Sequence, residues 1–62
     1  METKDIINEV VNNGCKIYDY GTEMYDKIDS LDENEYSLLQ DELEKACMYI
    51  EYRCVDGEYV VF

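Results

Sequence analysis

Residues 30–47, SLDENEYSLLQDELEKAC, combine a helix start signal with a sustained helical period, and the reading of the rest of the chain turns on them. Ser30 and Glu33 stand in the S-x-x-E relation of a capping box, in which each side chain satisfies a first-turn backbone N–H that otherwise lacks a partner. Tyr36, Leu39, Leu43, Ala46 and Cys47 then recur at three- and four-residue steps and form one apolar stripe. A helix over 31–47 is therefore expected to be the spine of the fold.

Downstream of it, Met48, Tyr49, Tyr52 and Val55 would make a continued helix apolar nearly all round, so strands fit better. Asp56-Gly57 is a two-residue hairpin signal. Folding about it sets Cys54 opposite Tyr59 and Tyr52 opposite Val61, with Ile50 on the same face. The spacing predicts strands at 49–55 and 58–62. A lone hairpin is marginal in water, so this face is expected to lie on the helices, with the final Tyr59-Val60-Val61-Phe62 packed.

Upstream, residues 15–29 admit two readings. Ile17, Gly21, Met24, Ile28 and Leu31 step by 4, 3, 4 and 3, which predicts a helix over 16–29 forming an αα-hairpin with the spine. The alternative is a third strand at 15–20, where Ile17, Tyr18 and Tyr20 supply β-branched and aromatic content. At the N-terminus, Ile6, Ile7, Val10 and Val11 give an apolar helical edge, Thr3 is a candidate cap, and Gly14 is placed to end a helix over 3–13. The expected class is α+β: one small acidic domain spanning 1–62, with about three helices packed on a C-terminal β-hairpin.

Sixty-two residues leave a small core, since a chain of this length buries only about 60% of the surface its unfolded form exposes. Sixteen acidic against five basic side chains give a formal charge of −11. Such a field repels nucleic acid and anionic membrane while attracting basic surfaces. No apolar run approaches the ~18 residues of a spanning helix. Three cysteines, Cys15, Cys47 and Cys54, cannot all pair within one molecule, and no signal-peptide pattern opens the chain, so reduced thiols in a cytoplasm are expected.

The most pointed pattern is a set of carboxylates. On the helical reading, Asp19, Glu23 and Asp26 share one face of the second helix, and Glu33, Asp41 and Glu44 share a flank of the third. Side chains one turn apart are about 5–6 Å from each other, and duplex DNA carries one charge per ~1.7 Å of axis. Two adjacent rows of carboxylates would imitate phosphate rows coarsely. The plainer reading is a solvated face that keeps a small protein soluble. Tyr18 and Tyr25 flank the first row and Leu38 lies off the apolar stripe of the third helix, so these three are the candidate desolvated contacts. Of the remaining tyrosines, Tyr36 and Tyr52 are expected to be structural.

Metal and catalytic chemistry find little support. No window supplies the ligand spacing of an EF-hand loop around Asp26, Asp29, Asp32 and Asn34. Without histidine or a C-x-x-C pair there is no zinc pattern and no Ser–His or Cys–His dyad, so the thiols read as small buried hydrophobes. Gly14, Gly21 and Gly57 are scattered and build no phosphate loop. The expectation is a protein without enzyme activity, cofactor or metal.

Two functions of different class follow. One is a stoichiometric inhibitor that occupies the basic nucleic-acid site of a host enzyme or defence complex by nucleic-acid mimicry. Small size, strong acidity, exposed aromatics and reduced thiols resemble the general character of phage-encoded anti-defence proteins of the anti-restriction and anti-CRISPR kinds, although no motif belongs to one such family. The other is an accessory or adaptor module, monomeric or homodimeric, that docks through an apolar surface near Leu38 or Tyr49, or through an edge strand ending in Val60-Val61-Phe62.

Overall fold

The computed structural model describes residues 2–62, in the order α1 (Thr3–Asn13), β1 (Lys16–Asp19), α2 (Glu23–Asp29), α3 (Glu33–Lys45), β2 (Ile50–Arg53) and β3 (Glu58–Val61). This is the expected α+β domain with three helices, and its hairpin is part of a three-stranded antiparallel sheet. The first helix starts and stops where the sequence places it. Ile6, Ile7 and Val10 are buried, and Gly14, at φ 65°, turns the chain while its N–H bonds the Val10 carbonyl at 3.2 Å. Thr3 does not cap it: Glu2 holds that position without a side-chain bond, and the Thr3 hydroxyl donates to the Glu35 carboxylate on α3.

The spine helix is two residues shorter at each end than its pattern. Asp32, not Ser30, is its cap, and the capping box pairs Asp32 with Glu35: Asp32 accepts from the Glu35 N–H at 2.8 Å, and Glu35 accepts from the Asp32 N–H at 3.1 Å. Ser30 instead closes α2, its hydroxyl donating to the Lys27 carbonyl. At the other end the Cys47 N–H bonds the Glu44 carbonyl and the Met48 N–H reaches back to Leu43, the two bonds of a Schellman motif. Cys47 takes the left-handed position at φ 59°, normally a glycine's place. This geometry carries Ala46 and Cys47 off the stripe into solvent, so they are not core.

Between α1 and α2 the third-strand alternative is what forms, and the helix predicted over 16–29 is confined to its second half. Gly21, at φ 85°, stops any helical path through 17–24, and Thr22 then caps α2 by accepting from the Tyr25 N–H. The strand order is β1-β3-β2. The chain's last strand is thus central and paired on both sides, and the edges are β1 and β2.

The hairpin register differs by two residues from the expected one. Tyr52 faces Tyr59 and Ile50 faces Val61, with Cys54, Val55, Asp56 and Gly57 all in the loop. Gly57, at φ 62°, donates its N–H to the Arg53 carbonyl at 2.8 Å and closes that four-residue loop. A shift of two preserves which side each residue faces. Tyr18, Tyr59 and Tyr52 therefore form one row on the inner face, with Ile50 and Val61 beside them. The core joins that face to Ile6, Ile7 and Val10 of α1, Tyr25 and Ile28 of α2, and Leu39 and Leu43 of α3. α1 packs on α3, and α2 packs on β1.

Candidate functional site

The α3 flank is the best-ordered part of the expected site. Glu33, Ser37, Asp41 and Glu44 follow at steps of four, four and three, opposite the buried Leu39 and Leu43, and all four are exposed. At 1.5 Å per residue the run from Glu33 to Glu44 covers about 16 Å. Leu38 is exposed and lines a shallow concavity with Asp41, Glu42, Glu44 and Lys45, beside the lower half of that flank and apart from Glu33.

Glu23 and Asp26 lie on the solvent side of α2, away from the buried Tyr25 and Ile28. Asp19 is not with them. It ends β1, directly opposite Glu58 and in line with Arg53, on the sheet face turned away from the core. The predicted double row on two adjacent helices is thereby replaced by one coherent flank on α3, a pair on α2 and a single carboxylate on the sheet, all exposed. Among the described residues only Glu23 of the six is ion-paired, to Lys27 at 3.2 Å, while Lys27 also reaches Glu9 at 3.4 Å. Lys45 pairs with Glu42 at 2.9 Å and Arg53 lies 3.8 Å from Glu51.

Tyr18 and Tyr25 are not contact residues. They are 8% and 5% exposed and belong to the core, because β1 turns Tyr18 inward and α2 lays Tyr25 over Tyr59 with ring centroids 5.1 Å apart. Burial raises the Tyr18 pKa, with Glu9 adding to it. The Tyr25 hydroxyl donates to that of Tyr52 at 3.5 Å, and this bond, with burial, pushes its pKa up to about 12. Tyr59 is raised further, first by burial and then by its bond to Asp29.

The chain matches no protein-family model, no curated protein and no solved structure.

Two surfaces escape a reading based on helical faces. The first is a groove between the α2–α3 turn, the start of α3 and the hairpin, lined by Asp29, Asp32, Glu33, Tyr36, Tyr52 and Tyr59. The tyrosine ladder across the sheet, once its register is known, is the signal that finds it. The second is the outer sheet face. Ile17 lies beside Val60, and Phe62 is doubly bonded to Tyr49 through the backbone, with their rings 5.4 Å apart. Ile17, Tyr49 and Phe62 are 57%, 56% and 51% exposed, and Val60, though covered by its neighbours, is not part of the core cluster. Pairing parity puts all four on the side opposite Tyr18 and Tyr59.

Cys15, Cys47 and Cys54 are all free and exposed, which corrects the expectation of buried thiols. Among the described residues no group of three or more Cys, Asp or Glu side chains is arranged to hold a metal ion, and no helix is long and apolar enough to cross a membrane.

Proposed function

We propose that this protein is a non-catalytic acidic inhibitor that binds the basic nucleic-acid site of another protein, a host enzyme or defence complex, in the manner of phage anti-defence proteins. The observation that carries the reading is the α3 flank. Glu33, Asp41 and Glu44 share it, exposed and without a cationic partner among the described residues, and Asp41 and Glu44 line a concavity with the exposed Leu38. Like charges on one helix flank cost a few tenths of a kcal/mol per neighbouring pair. A groove built for phosphates relieves that cost and releases its own counterions on binding. Three exposed thiols suit a reducing host cytoplasm.

The test is capture of partners from a bacterial lysate on the intact chain, followed by competition with duplex DNA. Recovery of a basic nucleic-acid-handling protein that DNA displaces supports the reading. A neutral partner indifferent to DNA and to salt overturns it.

A second reading, an adaptor module, is favoured by the outer sheet face, where Ile17, Tyr49 and Phe62 expose more than half their surface together. Binding there would depend on buried apolar area and change little between low and moderate ionic strength, whereas the acidic flank would lose affinity steeply.

A further inference from the structure

We propose that the groove lined by Asp29, Asp32, Glu33, Tyr36, Tyr52 and Tyr59 receives an arginine side chain of the partner protein, its guanidinium against the tyrosine rings and paired with the carboxylates. This rests on the reading of a basic partner and names the group by which one contact would be made.

Three of the residues lining the groove are tyrosines, Tyr36, Tyr52 and Tyr59. Tyr52 shares its hydroxyl with Tyr25, and Tyr59 donates its own to Asp29 Oδ1 at 3.1 Å, so the polar tips of both are already engaged. Tyr36 and Tyr59 lie 6.3 Å apart and Tyr52 and Tyr59 4.9 Å apart, which makes Tyr59 the floor between two more accessible rings. Ring faces are negative and attract a cation within about 6 Å of the centroid.

The charge of the groove points the same way. Asp29, Asp32 and Glu33 line it and none of the five basic side chains does. Lys27, Lys45 and Arg53 are tied to glutamates elsewhere. The positive end of the α3 dipole opposes a bound cation, but Asp32 and Glu33 sit on that end and offset it. Asp32 Oδ1 is committed to the Glu35 N–H and Asp29 Oδ1 to Tyr59, and each leaves a second oxygen with no hydrogen bond among the described residues. Arginine fits better than lysine because its planar guanidinium stacks on a ring while its N–H fork meets a carboxylate.

The experiment is an NMR titration of the full chain with a blocked Gly-Arg-Gly tripeptide, with the neutral citrulline tripeptide as the isosteric control. Saturable shifts of the Tyr36 and Tyr52 ring signals together with the amides of 29–33, absent with citrulline, are expected. Tyr52→Leu, at a half-exposed edge position, should weaken binding about two- to fivefold, the usual worth of one exposed ring, while Tyr52→Phe retains it. Glu33→Gln, on the exposed first turn of α3, should weaken it too and serves if the leucine variant does not fold. Wild-type affinity in Tyr52→Leu, or in Glu33→Gln if that variant has to stand in, overturns the proposal. So do shifts confined to Asp41 and Glu44 with the rings unmoved, a result that leaves the acidic-flank reading standing and removes only the groove.

Discussion

The Tyr59 hydroxyl donates to Asp29 at 3.1 Å, joining the middle of the central strand to the last residue of α2. Tyr59 is also the hub on which the rings of Tyr25, Tyr36 and Tyr52 lean. α2 has only seven residues, too few to hold itself as an isolated helix, so its position depends on such ties. Tyr59→Phe keeps the ring and removes the bond. Because the acceptor is a carboxylate, this change should lower unfolding free energy by about 1.5–3 kcal/mol, read by urea denaturation, and Asp29→Asn should cost no more than that. A loss well beyond this range would mean that the ring moves when the bond is cut.

The same tyrosines set the alkaline limit of the fold. Tyr59 is raised by burial and by Asp29, and Tyr25 is pushed up to about 12 by its bond to Tyr52 and by burial, from an ordinary 10.0. Their folded pKa values lie above the unfolded ones, so the folded state holds more protons in that range and stability falls as pH rises. The stabilisation is complete below pH 10 and is lost as pH climbs toward 12. Tyrosinate absorbance and circular dichroism followed together should show late ionisation coinciding with unfolding. Ionisation of all seven tyrosines near pH 10 with the fold intact would contradict this.

The start of α3 offers a direct contest between two candidate caps. Asp32→Ala should destabilise by about 1 kcal/mol, since it removes the oxygen that satisfies the Glu35 N–H. Ser30→Ala touches only the exposed last turn of α2 and should cost less. The reverse order in thermal or urea unfolding would return the capping role to Ser30.

Sequence pattern reached the helices more surely than the sheet, for reasons visible in particular residues. α1 and α3 are long enough for Ile6, Ile7, Val10, Leu39 and Leu43 to repeat on one side, and each lands in the core. β1 has four residues and only one covered face, so Tyr18 alone is buried and no alternation can show. The competing helical stripe was a coincidence of Ile17, which faces outward, and Gly21, which turns the chain. Inward and outward facing in the hairpin followed from parity, but the loop length did not, because Asp56-Gly57 closes four residues as readily as two. Site residues on α3 were legible as a helix flank. Tyr18 and Asp19 were misplaced because they lie on the strand, and Tyr25 because the ring it packs on, Tyr59, belongs to a distant strand.

Cys47 occupies a glycine's conformation at φ 59°, exposed, with both Schellman bonds made by backbone. A Cβ in the left-handed region costs about 1–2 kcal/mol, partly offset by the greater freedom that glycine loses on folding. Cys47→Gly should therefore raise stability by about 0.5–1 kcal/mol, measured against wild type under reducing conditions. A loss instead would show that the side chain makes a packing contact its exposure does not suggest.

The α3 flank is where charge and stability should separate. Glu33, Asp41 and Glu44 are exposed and lie opposite Leu39 and Leu43, so changing all three to lysine leaves the core untouched and lowers the repulsion within a chain of charge −11. The triple variant should fold with unchanged circular dichroism and equal or higher stability. Its affinity for a basic partner should be lost, and wild-type affinity should fall steeply between low and moderate salt. The corresponding reversal of Glu23 and Asp26 on α2 should matter less, because Lys27 already neutralises Glu23. If the α3 variant binds as wild type does, the acids serve only solubility, and the apolar face of Ile17, Tyr49 and Phe62 becomes the contact to mutate next.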